Sequence, residues 1–132
     1  MGKWAFVAML AATLFDGQAS AAEWSPIKID DNTVREVDTA SITRNGQVVT
    51  FAARHTFIDR NEYKVGRREA KYLLIHSRAN CISQTLAQLA TEAYDEKTVL
   101  ISKQQIQLPQ DLPVTKGSID EAALNFVCKA GK

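Results

Sequence analysis

Two cysteines constrain this chain more than any other feature. Cys81 closes a run of strand-like residues, and Cys128 lies near the end of a short C-terminal helical pattern that opens at Ser118-Ile119-Asp120-Glu121. A helix of that length does not persist alone in water, because nucleation costs more than a few turns return. It needs an apolar surface to lie on, and a disulfide between Cys81 and Cys128 would hold it there. Closing a loop of about fifty residues stabilises a fold by roughly 4 kcal/mol in the chain-entropy picture. For one small domain that is a large share of the total. The alternatives are two buried thiols or an intermolecular link. The spacing is too wide for a C-x-x-C redox motif.

The compartment follows from the other end of the chain. Met1-Gly2-Lys3 is a short positive head, residues 4–15 are apolar and uncharged, and Ala19-Ser20-Ala21 supplies the small residues that a signal peptidase requires. This order predicts a secretory signal peptide over residues 1–22, cut before Ala22 or Glu23, and a single exported domain over residues 23–132. The competing reading is a membrane anchor. A spanning helix needs roughly 20 apolar residues, and Asp16 interrupts this stretch first. No cysteine stands near the cut, so lipid has no attachment point, and the expected location is periplasm or medium. In such a compartment paired cysteines form bridges.

The formal net charge is +1, with 16 Lys and Arg against 15 Asp and Glu. Such a balance gives no long-range field to draw the chain onto nucleic acid or a membrane surface. Neither is expected as a partner.

Along the expected domain the pattern is mostly β. Residues 23–29 read as an edge strand, since Pro26 cannot donate to a ladder. Residues 30–33 form a turn, residues 34–38 a second strand, and Thr39-Ala40-Ser41 a further turn. Asn45-Gly46 marks a tight hairpin, both residues tolerating positive φ. In the strand that follows, Val49, Phe51, Ala53, His55 and Phe57 share one mostly apolar face. Residues 58–68 are a charged connection bending at Gly66. Residues 69–81 are a strand whose Leu73, Ile75, Ser77, Ala79 and Cys81 grow smaller toward the cysteine, leaving room for a docked helix. Residues 83–94 are ambiguous: Leu86, Leu89, Ala90 and Ala93 fit a helix behind a cap-like Ser83, the same residues also alternate, and propensity leans toward helix. Residues 95–97 turn, residues 98–103 form a strand, and residues 104–116, with Pro109 and Pro113, are a loop. The C-terminal helix has a capping box, Ser118 with Glu121, acidic residues at its start and Lys129 near its end.

The early Trp24, the strand entering Asp38-x-x-Ser41-Ile42, the Asn45-Gly46 hairpin, the strand into Cys81 and the Pro113…Gly117-Ser118…Cys128 ending together resemble the bacterial surface-adhesin protein E-like family. The resemblance covers nearly all of the expected mature chain, its most specific part being the Cys81/Cys128 pair with the Ser118-to-Cys128 ending. It implies an α+β fold: an antiparallel sheet of about six strands with a C-terminal helix packed on one face and tethered by a disulfide. It also implies that residues 84–94 are a strand, against propensity, and that reading is adopted. Known members are surface lipoproteins that bind host matrix proteins. This chain departs from them in lacking the lipidation cysteine.

Candidate chemistry is sparse. His55 and His76 fall on strands expected to lie close in the sheet, but two imidazoles do not make a four-ligand zinc site, and no metal or other cofactor is expected. Ser41 or Ser77 with either histidine would lack the surroundings of an activated nucleophile. No enzymatic activity is therefore expected. Arg60, Tyr63, Lys64, Arg67 and Arg68 form the candidate partner-contact loop, a charged connection with an aromatic, although interleaved Asp59, Glu62 and Glu69 leave it only slightly basic. The expected function is an exported binding module contacting another protein or matrix component. The alternative is a periplasmic structural or accessory protein of the envelope with no host target. Exposed sheet margins make a homodimer through the edges a further expectation.

Overall fold

The computed structural model describes residues 21–59 and 63–130. Residues 1–20 of the expected leader, Arg60 of the expected contact loop, and Gly131 and Lys132 lie outside the described residues.

Alternation along β3 (Val48–Phe57) sets the architecture. Val49, Phe51, Ala53 and Phe57 are all buried on one face. Antiparallel neighbours continue that face: Val37 in β2 (Thr33–Asn45), and Ile75, Ser77 and Ala79 in β6 (Tyr72–Asn80). The sheet runs β1 (Trp24–Ile29), β2, β3, β6, β7 (Thr85–Tyr94), β8 (Leu100–Gln105), with every neighbouring pair antiparallel. A two-residue strand, β9 (Leu112–Pro113), pairs with the start of β7. Helix α1 (Ile119–Ala130) lies across the apolar face, burying Ala123, Leu124 and Val127 against Val37, Val49, Phe51, Ala53 and Ala79. Cys81 and Cys128 are bonded, with their Cα atoms 5.7 Å apart. The expected sheet, helix and staple are all present.

Local chemistry departs from expectation at several points. Thr39-Ala40-Ser41 does not turn the chain. β2 continues through an irregularity between Asp38 and Thr43. The Ser41 hydroxyl donates to the Asp38 carbonyl at 2.7 Å and accepts from the Ala52 amide at 2.8 Å, filling the gap in the ladder. Asp38 Oδ1 accepts from the Glu23 and Ala40 amides, at 2.8 and 3.0 Å. Within the 58–68 connection, β4 (Lys64–Val65) and β5 (Arg68–Glu69) make a small hairpin turning at Gly66, whose φ is +64°.

Residues 85–94 are a strand, as the resemblance implied and propensity did not. β7 pairs with β6 along its length and buries Ala87 and Ala93. Ser83 caps nothing: Asn80 Oδ1 accepts from the Ile82 and Ser83 amides, and Gln84 takes a φ of 60° to reverse the chain. The next strand begins at Leu100 rather than Thr98, because Thr98 sits at φ 62° in the turn. At the helix start, Ser118 Oγ accepts from the Glu121 amide at 3.1 Å, whereas Glu121 Oε1 accepts from Gly117, one residue earlier than a regular box.

Candidate partner-contact surface

Two covers lie on the apolar face of the sheet. α1 takes one half. Over the other half the β4–β5 hairpin covers a second cluster, in which Phe57, Ala70 and Ala93 are buried with Val65, Leu73 and Ile101 around them. The hairpin is held at few points. Tyr63 stacks on Phe57 with ring centroids 5.6 Å apart, and the Ala70 amide donates to the Tyr63 carbonyl. Arg68 pairs with Asp95 at 3.0 Å.

The predicted contact residues therefore divide by role. Arg68 is a strut to the β7–β8 turn. Its partner Asp95 also accepts from the Val99 and Lys97 amides, at 2.9 Å each. These bonds, the Val99 amide first and the Arg68 guanidinium behind the amides, hold the Asp95 carboxyl below its ordinary range. Tyr63 is 39% exposed, one edge packed and the other wet. Lys64 and Arg67 are exposed, with no ion pair to a described residue. Between hairpin and turn lies a shallow cavity of about 350 Å³, bordered by Arg67, Lys71 and Lys97 together with Glu69 and Glu96.

Sequence reasoning missed the opposite face of the sheet. There the Arg54 guanidinium lies 4.3 Å from the centroid of Trp24 and 5.9 Å from that of Tyr72, clamped by Glu36 at 2.9 Å. Tyr72 stacks on Tyr94 at 5.0 Å. The Tyr94 hydroxyl donates to Glu92 at 2.7 Å, and that bond, with burial behind it, pushes its pKa up to about 12. The row crosses from β1 to β7 and ends beside the hairpin. Its signal was in the sequence: Arg54 and Tyr72 occupy the positions that alternate with the buried ones.

The two histidines do not meet. His55 shares the apolar face with Phe57, at 5.1 Å edge to face, while His76 pairs with Ala52 on the other side of the sheet. His55 Nδ1 accepts from Arg35 Nε at 3.1 Å, and Arg35 reaches Asp120 of α1 at 3.7 Å. Burial, and then the Arg35 charge, lower the His55 pKa. Ser41 is committed to the ladder and Ser77 is buried. Among the described residues no three potential ligands cluster for a metal, and no helix is long and apolar enough to cross a membrane.

Comparison with known proteins gives a family and a fold. The family model for surface-adhesin protein E matches residues 24–129. Crystal form II of Haemophilus influenzae protein E superposes with a TM-score of 0.58 at 20% identity, covering 86% of this chain and all of that one. Protein E from non-typeable Haemophilus influenzae gives 0.54 at 21% identity, covering 84% of this chain and 80% of that one. At such identities the likeness is one of fold. A search of curated proteins finds no sequence match.

Proposed function

The chain belongs to the surface-adhesin protein E family, and on that premise we propose that it is an exported, non-enzymatic adhesin that contacts a host protein or matrix component through its β4–β5 hairpin. The supporting observation is the division of labour in that hairpin. Tyr63 and Arg68 anchor it, while Lys64 and Arg67 and the wet edge of Tyr63 face outward. A rigid sheet presenting a lightly held charged loop is a common arrangement for recognition. Export in this reading uses residues 1–22 as a signal peptide, and display does not use lipid.

Plate binding of the oxidised domain over residues 23–132 to matrix proteins, with albumin as control, tests the reading. Binding above the control that weakens at least tenfold in Lys64→Glu/Arg67→Glu supports it. Binding equal to albumin removes host adhesion and leaves the envelope accessory role. Binding unchanged by the double substitution moves the contact off the hairpin. Fractionation among periplasm, outer membrane and medium fixes which partners the protein can reach.

A further inference from the structure

The two margins of the sheet are built differently. Backbone groups in an antiparallel ladder alternate, so residues at every second position aim both N–H and C=O away from the neighbouring strand. At the β1 margin the Thr39 amide donates to the Glu23 carbonyl, which places Glu23 and Ser25 toward β2 and Trp24 and Pro26 outward. Pro26 has no N–H, and the ladder shifts between Pro26 and Lys28. That margin lacks one outward donor and is bent at the next position.

β8 has no proline, and although its ladder shifts once at Ile101, between the Leu100 and Ser102 pairs, it is regular from Ser102 to Gln105. The Ile106 amide donates to the Leu89 carbonyl, and Gln104 stands opposite Thr91 and Ser102 opposite Ala93, so these residues face β7. Lys103 and Gln105, opposite Glu92 and Ala90, therefore aim their amides and carbonyls outward. Both are exposed, and neither amide nor carbonyl bonds to another described element.

We propose that the outer edge of β8 is a strand-addition site that takes an extended segment of a different polypeptide, carrying an acidic residue opposite Lys103. Only an extended backbone supplies donors and acceptors at the repeat these groups present, the main-chain part of strand-addition recognition. The acid follows from charge. Lys103 Nζ has Glu92 at 3.8 Å on its β7 side and open solvent on the other. A second copy of this chain would set two ammonium groups against each other about a two-fold axis through Lys103, and would offer Lys103 only the uncharged Gln105 about an axis through Gln104. The site is separate from the β4–β5 hairpin, so the fate of the hairpin reading does not decide it.

The test uses the oxidised domain over residues 23–132 and the probe peptide acetyl-Thr-Val-Thr-Glu-Thr-Val-Thr-amide. On binding, amide exchange at Lys103 and Gln105 should slow while that at Gln104, already bonded to β7, stays unchanged. N-methylation of the peptide should cost about tenfold in affinity at alternate residues only, as each blocked amide forfeits a ladder bond. Replacing the peptide's acid by lysine should weaken binding by about twofold to fivefold. Lys103→Pro puts on this margin the guard that Pro26 provides on the other. It should abolish binding while keeping the thermal midpoint, because the lost N–H is outside the native ladder. The N-methyl series needs no variant of the protein, so misfolding of Lys103→Pro would not rescue the idea. A peptide that fails to bind overturns the proposal, as does uniform sensitivity to N-methylation. So does a dimer of the unliganded chain that Lys103→Pro dissolves, since the edge would then belong to a second copy.

Discussion

Under α1 the sheet presents Val37, Val49, Phe51, Ala53 and Ala79, and the cover is bonded to it covalently at Cys81. Beyond Asp120 the same face presents Phe57, Leu73 and Ala93, and the cover is a six-residue hairpin, Lys64 to Glu69, held by a ring stack and an ion pair. Phe51, Val37 and Val49 fill the space under the helix beside two alanines, and the disulfide locks that fit. One ring, Phe57, lies under the hairpin with Leu73 and Ala93, and no disulfide holds that cover down. Low local stability is where contact surfaces are usually found. The proposed adhesive loop thus sits on the end that the fold holds least firmly.

The comparison breaks most readily at the staple. Cys81→Ala/Cys128→Ala should lower unfolding stability by about 4 kcal/mol, read by urea denaturation, and hydrogen exchange should rise over α1 while the hairpin barely changes. Equal loosening of both ends would mean that they form one cooperative unit. Leu124→Ala, at a fully buried position, should cost about 3 kcal/mol and again act on the helix half. Tyr63→Ala removes the ring over Phe57. Its expected cost is about 1 kcal/mol, with faster exchange confined to residues 63–71 and no change at α1.

The smallest effect lies where the halves join. His55 touches Phe57 on one side and Arg35, which reaches Asp120 of α1, on the other. Its folded pKa is below the ordinary value, so over that window the unfolded chain binds more protons than the folded one. Stability from this group is complete above about pH 6.5 and declines as pH falls toward the folded pKa. The variant His55→Gln should show a flatter thermal midpoint between pH 7 and pH 5. An unaltered slope would show that the Arg35–His55 bond carries no linkage between the two covers.

How much of this was legible depends on whether the controlling interactions were local. Pro26 at an edge and Ser118 as a cap each act within a few residues and were read correctly; the hairpin was read in its place, but its turn is Gly46-Gln47, with Asn45 paired to Val48 and only Gly46 at positive φ. Residues 85–94 were not legible from propensity, because the forces that extend them come from β6 and β8 across the sheet; family likeness supplied that assignment. Ser41 misled because a serine hydroxyl bonds a nearby backbone in a turn and equally patches an irregular ladder. The β4–β5 hairpin hid in a charged stretch, its only local mark being Gly66. The row from Trp24 to Tyr94 was unread because its members become neighbours only once strand register is known.

The amide of Glu23 that rests 2.8 Å from Asp38 Oδ1 has a consequence for maturation. Were the expected signal peptide cut immediately before Glu23, that amide would become an α-ammonium group already facing a carboxylate. The bond would then join two opposite charges instead of an amide and a carboxylate, and the new terminus would be tied down from the start. Processing would then tighten the first strand of the sheet instead of fraying it.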